Sequence, residues 1–406
     1  MEAWAAEWLN LLLRWLHFVA GIAWIGSSFY FIWLDDHLRA PDHPGDASAA
    51  GGELHGEVWS VHGGGFYRAV KFRTAPAVLP APLHWFKWEA YATWLSGFGL
   101  LALVYWYGAG VYLVDPSVAD LAPGAAIALS AAFVAGGYIV YDALCRSPLG
   151  RNERALGAVL LLLAGLLAFA LCNVFSGRAA YLHFGAVLGT IMAGNVFFVI
   201  IPGQRRMVAA LARGEAPDPA AGLNAKRRSV HNTWFTLPVL FTMISNHFPM
   251  TYAYQWNWAA LIAIALAGAL VRSWFVARHR GRASPLPLFA AALLIAAVAA
   301  AVAPRPGVAS GLAKPQRSAV SDIDVREVIR ERCAGCHSAA PTHPAFPAAP
   351  AGLELDTNAQ IRAAAARIHQ QTVVSRIMPI GNLTGMTEAE RELIDRWYGA
   401  TEPGSR

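Results

Sequence analysis

The sequence predicts an all-α fold in two parts: a polytopic membrane bundle of about eight helices, then a small helical C-terminal domain. Three observations predict it. Apolar residues make up 56% of the chain and charged residues only 14%, and most charges avoid the long apolar runs. Windows of about twenty apolar residues, the length a helix needs to cross hydrocarbon, fall near 10–34, 84–107, 122–144, 155–175, 179–202, 231–250, 257–277 and 285–303. Composition then changes. Pro304 to Ser321 is rich in Pro, Gly, Ala and Ser, as linkers are, and the residues beyond it are charged helix formers. The chain therefore divides into a membrane domain (1–303), a linker (304–321) and a C-terminal domain (322–406). No cleavable signal peptide is expected, because the first apolar run continues as a membrane helix.

Lysine and arginine counts predict the orientation. The loops after the first, third, fifth and seventh windows hold sixteen: Arg39, Arg68, Lys71 and Arg73; Arg146, Arg151 and Arg154; Arg205, Arg206, Arg213, Lys226, Arg227 and Arg228; Arg278, Arg280 and Arg282. The intervening loops hold only Arg178. The odd loops are thus cytoplasmic and both termini face outward. A membrane chain biased in this way explains its net charge of +6 by its lipid bilayer, and no nucleic-acid partner is expected.

The C-terminal domain contains Cys333-Ala334-Gly335-Cys336-His337, in a chain with four cysteines. Two thiols at this spacing form thioethers to the two vinyl groups of a haem, and the adjacent histidine becomes a proximal iron ligand. A thioredoxin-like pair would need a strand–helix setting, and a zinc site would need a second Cys/His pair. One covalent c-type haem is expected, and the domain reads as a small cytochrome c on the outer side. Asp322–Glu331 leads into the motif as a helix, a second helical stretch surrounds Ile361–Gln371, and Thr387–Tyr398 opens with Thr387 and Glu390 in capping-box spacing. Met378, beside Pro379, is the candidate second axial ligand, with Met386 and His369 as alternatives.

The membrane part carries a faint internal repeat. Leu16-His17-Phe18 in the first window matches Leu182-His183-Phe184 in the fifth, and Thr93-Trp94 in the second matches Thr233-Trp234 in the sixth. A 4+4 parallel repeat would follow, with His17 and His183 facing one another at similar depth. Ionisable groups inside spans suggest function: Arg14, His17, Lys87, Glu89, His183, His247 and Arg272, with His84 and His231 at helix ends. Arg14 and Arg272 read equally well as snorkelling cations. His17, His183 and His247 at one depth suggest a haem b or a reaction pocket, against the plainer reading of satisfied polar residues between helices. Cys145 and Cys172 read as small packing residues.

The long loop from Asp35 to Leu83 is the other unusual segment. Between His55 and Arg73 it gathers imidazoles, aromatics, glycines and three cations. Such a set suits a flat anionic ring held by stacking and charge-assisted hydrogen bonds. The alternative is an interfacial segment meeting lipid headgroups.

Several stretches together resemble the PuuD-type membrane urate oxidases: Leu11–Phe31, Gly56–Arg73, Leu83–Ser96, Val230–Phe248, the Cys-Ala-Gly-Cys-His motif and Met378–Met386. The resemblance covers nearly the whole chain. It implies a multi-pass protein of the bacterial inner membrane that oxidises urate to 5-hydroxyisourate. Electrons would pass to the fused periplasmic cytochrome and on to a respiratory-chain acceptor, rather than directly to oxygen. In that setting Arg68, Lys71 and Arg73 would hold the urate anion, with His62 or His55 as base. Oxidation releases two electrons and one haem accepts one, so either the c haem turns over twice or a membrane haem stores charge. The first window and Lys87 also resemble, more weakly, the HemJ-type protoporphyrinogen oxidases, which implies His17 and Lys87 as haem b ligands; the Cys-x-x-Cys-His domain departs from that family. Two other readings remain: a quinol-to-cytochrome electron carrier without purine activity, and porphyrinogen oxidation with the cytochrome as acceptor.

Overall fold

The computed structural model describes residues 2–40, 53–73, 75–303, 322–346, 348–374 and 376–401. The predicted linker lies outside the described residues. Helix α1 spans Glu2–His37. Helix α2 (Trp88–Leu100) continues through the wider π-type turns Leu101–Trp106 and Ala109–Leu113. Then come α3 (Pro123–Arg146), α4 (Glu153–Cys172) and α5 (Gly177–Gly194), which runs on through Asn195–Ile200 into α6 (Ile201–Ala212). The bundle ends with α7 (Pro219–Ile244), the short α8 (Pro249–Tyr252), α9 (Asn257–His279) and α10 (Leu286–Val302).

Most of each of the eight apolar windows lies on helix. Among the described residues, five helices are long and apolar enough to cross a membrane: Trp4–His37, Pro123–Arg146, Glu153–Cys172, Gly177–Ala212 and Asn257–His279. The other windows fall short for visible reasons. α2 is interrupted near Gly108, α7 carries the run Lys226-Arg227-Arg228 in its first half, and α10 is short.

Helix α5 is the axis of the bundle. In its most apolar window 67% of residues are buried, against 11% for α1, whose Trp15, Phe18, Val19 and Ile22 face outward. Tight approach explains the centrality. A Cβ on Gly185 would lie 2.0 Å from Thr242 Oγ1 of α7, and one on Gly137 of α3 would lie 2.4 Å from Val187 Cγ1 of α5. Small residues at such crossings let helices pack closely where lipid offers no hydrophobic drive. The α1–α2 and α5–α7 pairs both pack together, as a parallel repeat requires.

The all-α expectation is corrected at one place. Residues of the long loop form an antiparallel hairpin, β1 (Leu54–His62) and β2 (Gly65–Phe72). Val58, Trp59, Val61, Phe66, Tyr67 and Val70 favour strand, and Gly63 and Gly64 take φ of +57° and +79°, as a tight two-residue hairpin turn demands.

The C-terminal domain packs α11 (Asp322–Arg332), α12 (Asn358–Ala363), α13 (Ala365–His369) and α14 (Glu388–Thr401) around Val325, Ile329, Ile361, Ile368, Ile394 and Trp397. The expected capping box is present: the Thr387 N–H donates to Glu390 Oε2 at 2.6 Å, and the Glu390 N–H to Thr387 Oγ1 at 3.3 Å. This domain touches the bundle at the end remote from the hairpin. Ile377 packs on the bundle core, and a Cβ on Gly381 would lie 3.1 Å from the Val114 carbonyl oxygen.

Candidate functional site

The Cys-x-x-Cys-His segment continues α11 by about one turn. The Cys333 N–H donates to Ile329 O at 2.8 Å, and the His337 N–H to Cys333 O at 2.9 Å. This turn places Cys333, Cys336 and His337 together, both thiols free of disulfide. Burial pushes the Cys333 thiol up to about 12, the reverse of what a nucleophilic redox pair requires. His337 Nδ1 lies 3.1 Å from the Leu353 carbonyl oxygen. Donation to that carbonyl puts the lone pair on Nε2, the arrangement that second-shell partners impose on ligating histidines. The residues fit a covalent haem.

The three residues expected from sequence as candidates for a second axial ligand differ in their surroundings. Met386 is 3% exposed inside the domain core, as a packing residue. His369 stacks on Tyr398 and its Nε2 lies 2.7 Å from Asp395 Oδ1. Met378 is half-buried on a braced loop: its N–H donates to Gln371 O at 3.0 Å, and its carbonyl accepts from Arg391 Nη1 at 3.0 Å. Arg391 is itself buried and also donates to Thr372 O. Arg391→Ala would leave two carbonyls without their charged donor, at about 1–3 kcal/mol. Chemical denaturation followed by circular dichroism should show the lower midpoint.

The hairpin does not bring its candidate residues together. Trp59 pairs with Arg68 and Gly56 with Lys71, so the period of two puts Arg68 and Lys71 on opposite faces. Each cation also meets an acid: Arg68 lies 2.5 Å from Glu57, Lys71 2.6 Å from Asp35, and Arg73 3.1 Å from Glu53. His62 is exposed at the hairpin tip, opposite Gly65. Six residues along β1 separate it from the pair that contains Lys71, roughly 20 Å. His55 is exposed at the bulge between Leu54 and Gly56.

The membrane histidines are also separated. His17 Nδ1 lies 2.9 Å from Thr93 O, and its ring fills the space left by Gly97. His183 packs against Tyr105, eight to twelve residues further along the same helix, or roughly 12–18 Å. They do not face one another at one depth. His183 is fully buried, with Nδ1 2.8 Å from Ala179 O and Nε2 2.7 Å from Ser130 Oγ. Both ring nitrogens are occupied, so His183 does not fit as an iron ligand. His17 keeps Nε2 without a partner among the described residues and fits as a single ligand. Lys87 sits at the N-terminus of α2 with its ammonium 5.8 Å from the Trp88 ring centre, and His247 is exposed in the turn after α7.

A feature the sequence did not announce lies between α4, α5, α7 and α9. A cavity of 810 Å³ has Trp234, Phe235 and Leu160 on its walls and Lys226, Arg227, Arg280 and Glu153 at the hairpin end. His231 lines it, with Nδ1 2.7 Å from Tyr141 Oη. Behind His231 runs a buried polar network. Asn195 Nδ2 donates to Tyr141 Oη at 3.0 Å and to Asn232 Oδ1 at 2.8 Å. Arg228 donates to Asn195 Oδ1 at 3.2 Å and to Asp142 Oδ1 at 2.6 Å. Tyr141 Oη accepts from Asn195, and His231 Nδ1 is the acceptor in reach of its own proton among the described residues; with that proton given to Nδ1, neutral His231 presents an Nε2–H donor to the cavity. The Val230–Phe248 stretch carried the signal for His231; its partners sit on α3 and α5, with no spacing that links them.

No curated protein and no solved structure matches the chain. The bundle itself is matched, from residue 3 to residue 303, by the family described as urate oxidase N-terminal. That match takes in α1, the hairpin, the cavity and its polar network, and on it the chain belongs to the urate oxidase N-terminal family.

Proposed function

We propose that this chain oxidises urate to 5-hydroxyisourate in its membrane domain and delivers the electrons to its own C-terminal cytochrome. The observation that carries the reading is the seating of the Ile377–Gly381 segment, which contains Met378, on the end of α2 in the family-matched domain. An acceptor docked on the oxidising domain needs no diffusing carrier for the first transfer. Cys333 and Cys336 would hold the haem, with His337 and Met378 as axial ligands. When bound, the haem supplies a one-electron acceptor whose potential a methionine ligand raises.

The overall reaction is urate plus water giving 5-hydroxyisourate, two protons and two electrons. Two electrons therefore require two reductions of the c haem per urate, or a second centre. His17 is the residue whose geometry suits a membrane haem ligand. The eight helices would span the bacterial inner membrane, with the hairpin in the cytoplasm and the cytochrome domain in the periplasm. The positive bias of the odd loops supports this orientation. A respiratory-chain component would then reoxidise the haem.

One observation favours a second reading. The cavity walls are mostly apolar, as a quinone headgroup would require, so a quinol-to-cytochrome carrier is the competitor. A single anaerobic experiment separates them. Urate added to oxidised, detergent-purified protein should reduce the c-haem band, with two haems reduced for each 5-hydroxyisourate formed. Reduction by a quinol and none by urate would overturn the urate reading.

A further inference from the structure

We infer that the 810 Å³ cavity is the urate pocket, a reading that rests on the function proposed above. Its volume lies within the range of small-molecule sites, and its make-up matches a planar anion with apolar faces. The Trp234 and Phe235 rings offer surfaces for a purine to stack on, while the charge is confined to one end. At that end three cations stand against one acid, Glu153.

The cations are not equivalent. Arg280 is committed to Asp36, at 3.0 Å. Lys226 lies 4.0 Å from Asp35, but that carboxylate already holds Lys71 of the hairpin at 2.6 Å. Arg227 has no carboxylate partner among the described residues. Its Nη2 donates to Gly150 O, and its buried Nε has no hydrogen-bond partner. Arg227 is half-buried, but an unpaired donor at a buried nitrogen such as its Nε is costly unless an acceptor arrives. Arg227, with Lys226 beside it, is therefore the anion clamp, and the Nε2–H of His231 supplies a directional donor deeper in the cavity. The hairpin also gains a place. Through the Lys71–Asp35–Lys226 link it is anchored at the mouth of the pocket, although its own cations do not converge.

Two variants of the full-length protein test the assignment. Arg227→Gln removes the clamp's charge. Gly157→Trp blocks the space without touching the polar groups: Gly157 lines the cavity, and a Cβ there would meet nothing within 4 Å. Arg227→Gln should raise the KM for urate by roughly 10- to 100-fold, the range spanned by one charge-assisted hydrogen bond, and Gly157→Trp should raise it at least as far by filling the space. Their dithionite-reduced haem spectra should be unchanged. Equilibrium binding of urate to the pre-reduced protein, followed by tryptophan fluorescence, should weaken by the same factor.

Wild-type KM in both variants, while the wild type oxidises urate, would overturn the pocket and leave the function standing. So would a KM raised by Arg68→Ala and not by Arg227→Gln, which would return the substrate to the hairpin. Selective loss of quinol oxidation in Gly157→Trp would make the cavity a quinone site. Absence of urate oxidation and urate binding in the wild type would instead remove the function on which the pocket rests.

Discussion

His337→Ala should abolish urate-dependent reduction of the cytochrome while leaving the membrane bundle folded. In the proposed ligation the described residues offer no ready substitute for His337: His369 is held by Asp395 and Tyr398, and the His343 ring packs at a tilt against Phe346. Removing an outer partner of a metal ligand costs roughly 10–100-fold in affinity or activity, and removing the ligand itself should exceed that. The spectroscopic signature should be a five-coordinate or high-spin haem that binds carbon monoxide when reduced. Urate binding to the membrane domain should persist, because the cavity and its cations lie toward the hairpin end of the bundle. Normal, low-spin, urate-reducible haem in His337→Ala would contradict the ligand assignment.

Arg228→Met should produce the largest loss of stability in the membrane domain. Arg228 is 2% exposed and bridges Asp142 to Asn195. It also lies over the Tyr141 ring, 5.0 Å from its centre. Breaking a buried pair from one side leaves an uncompensated charge and costs about 3–5 kcal/mol. Part of that loss should be spared here, because Arg146 still reaches Asp142 at 2.6 Å. Thermal unfolding in detergent, read by circular dichroism, should show the shift. The double variant with Asp142→Leu should recover part of it, since no carboxylate is then stranded. Strict additivity of the two single losses would mean that the pair is not energetically coupled.

Both experiments depend on features that differ in how far sequence could reveal them. The proposed haem ligands could be named from sequence because covalent attachment would need Cys333, Cys336 and His337 in one short segment. The helices were legible as well, because hydrocarbon demands long apolar runs whatever their neighbours. The capping box at Thr387 and Glu390 is local for the same reason.

The hairpin shows where local reading stopped. Its three cations and its histidines are close in sequence, yet the alternation of a strand sends Arg68 and Lys71 to opposite faces and leaves His62 at the tip. Acids distant in sequence, such as Asp35, then claim the charges. The histidine repeat failed in a related way. His17 and His183 occupy equivalent positions on their own helices, but depth in a bundle is set by which neighbour each helix packs against.

The sequence by itself determined the run of long apolar helices and carries the proposal of a covalent haem site, since each depends on residues adjacent along the chain or on the solvent around it. Only the tertiary structure decided the hairpin, the seating of the Met378 loop on α2, and the cavity with its Arg228–Asn195–Tyr141–His231 network. These arise from contacts between α3, α5 and α7, and between two domains. Packing of side chains across helices sets such contacts, and no periodicity within one segment records them.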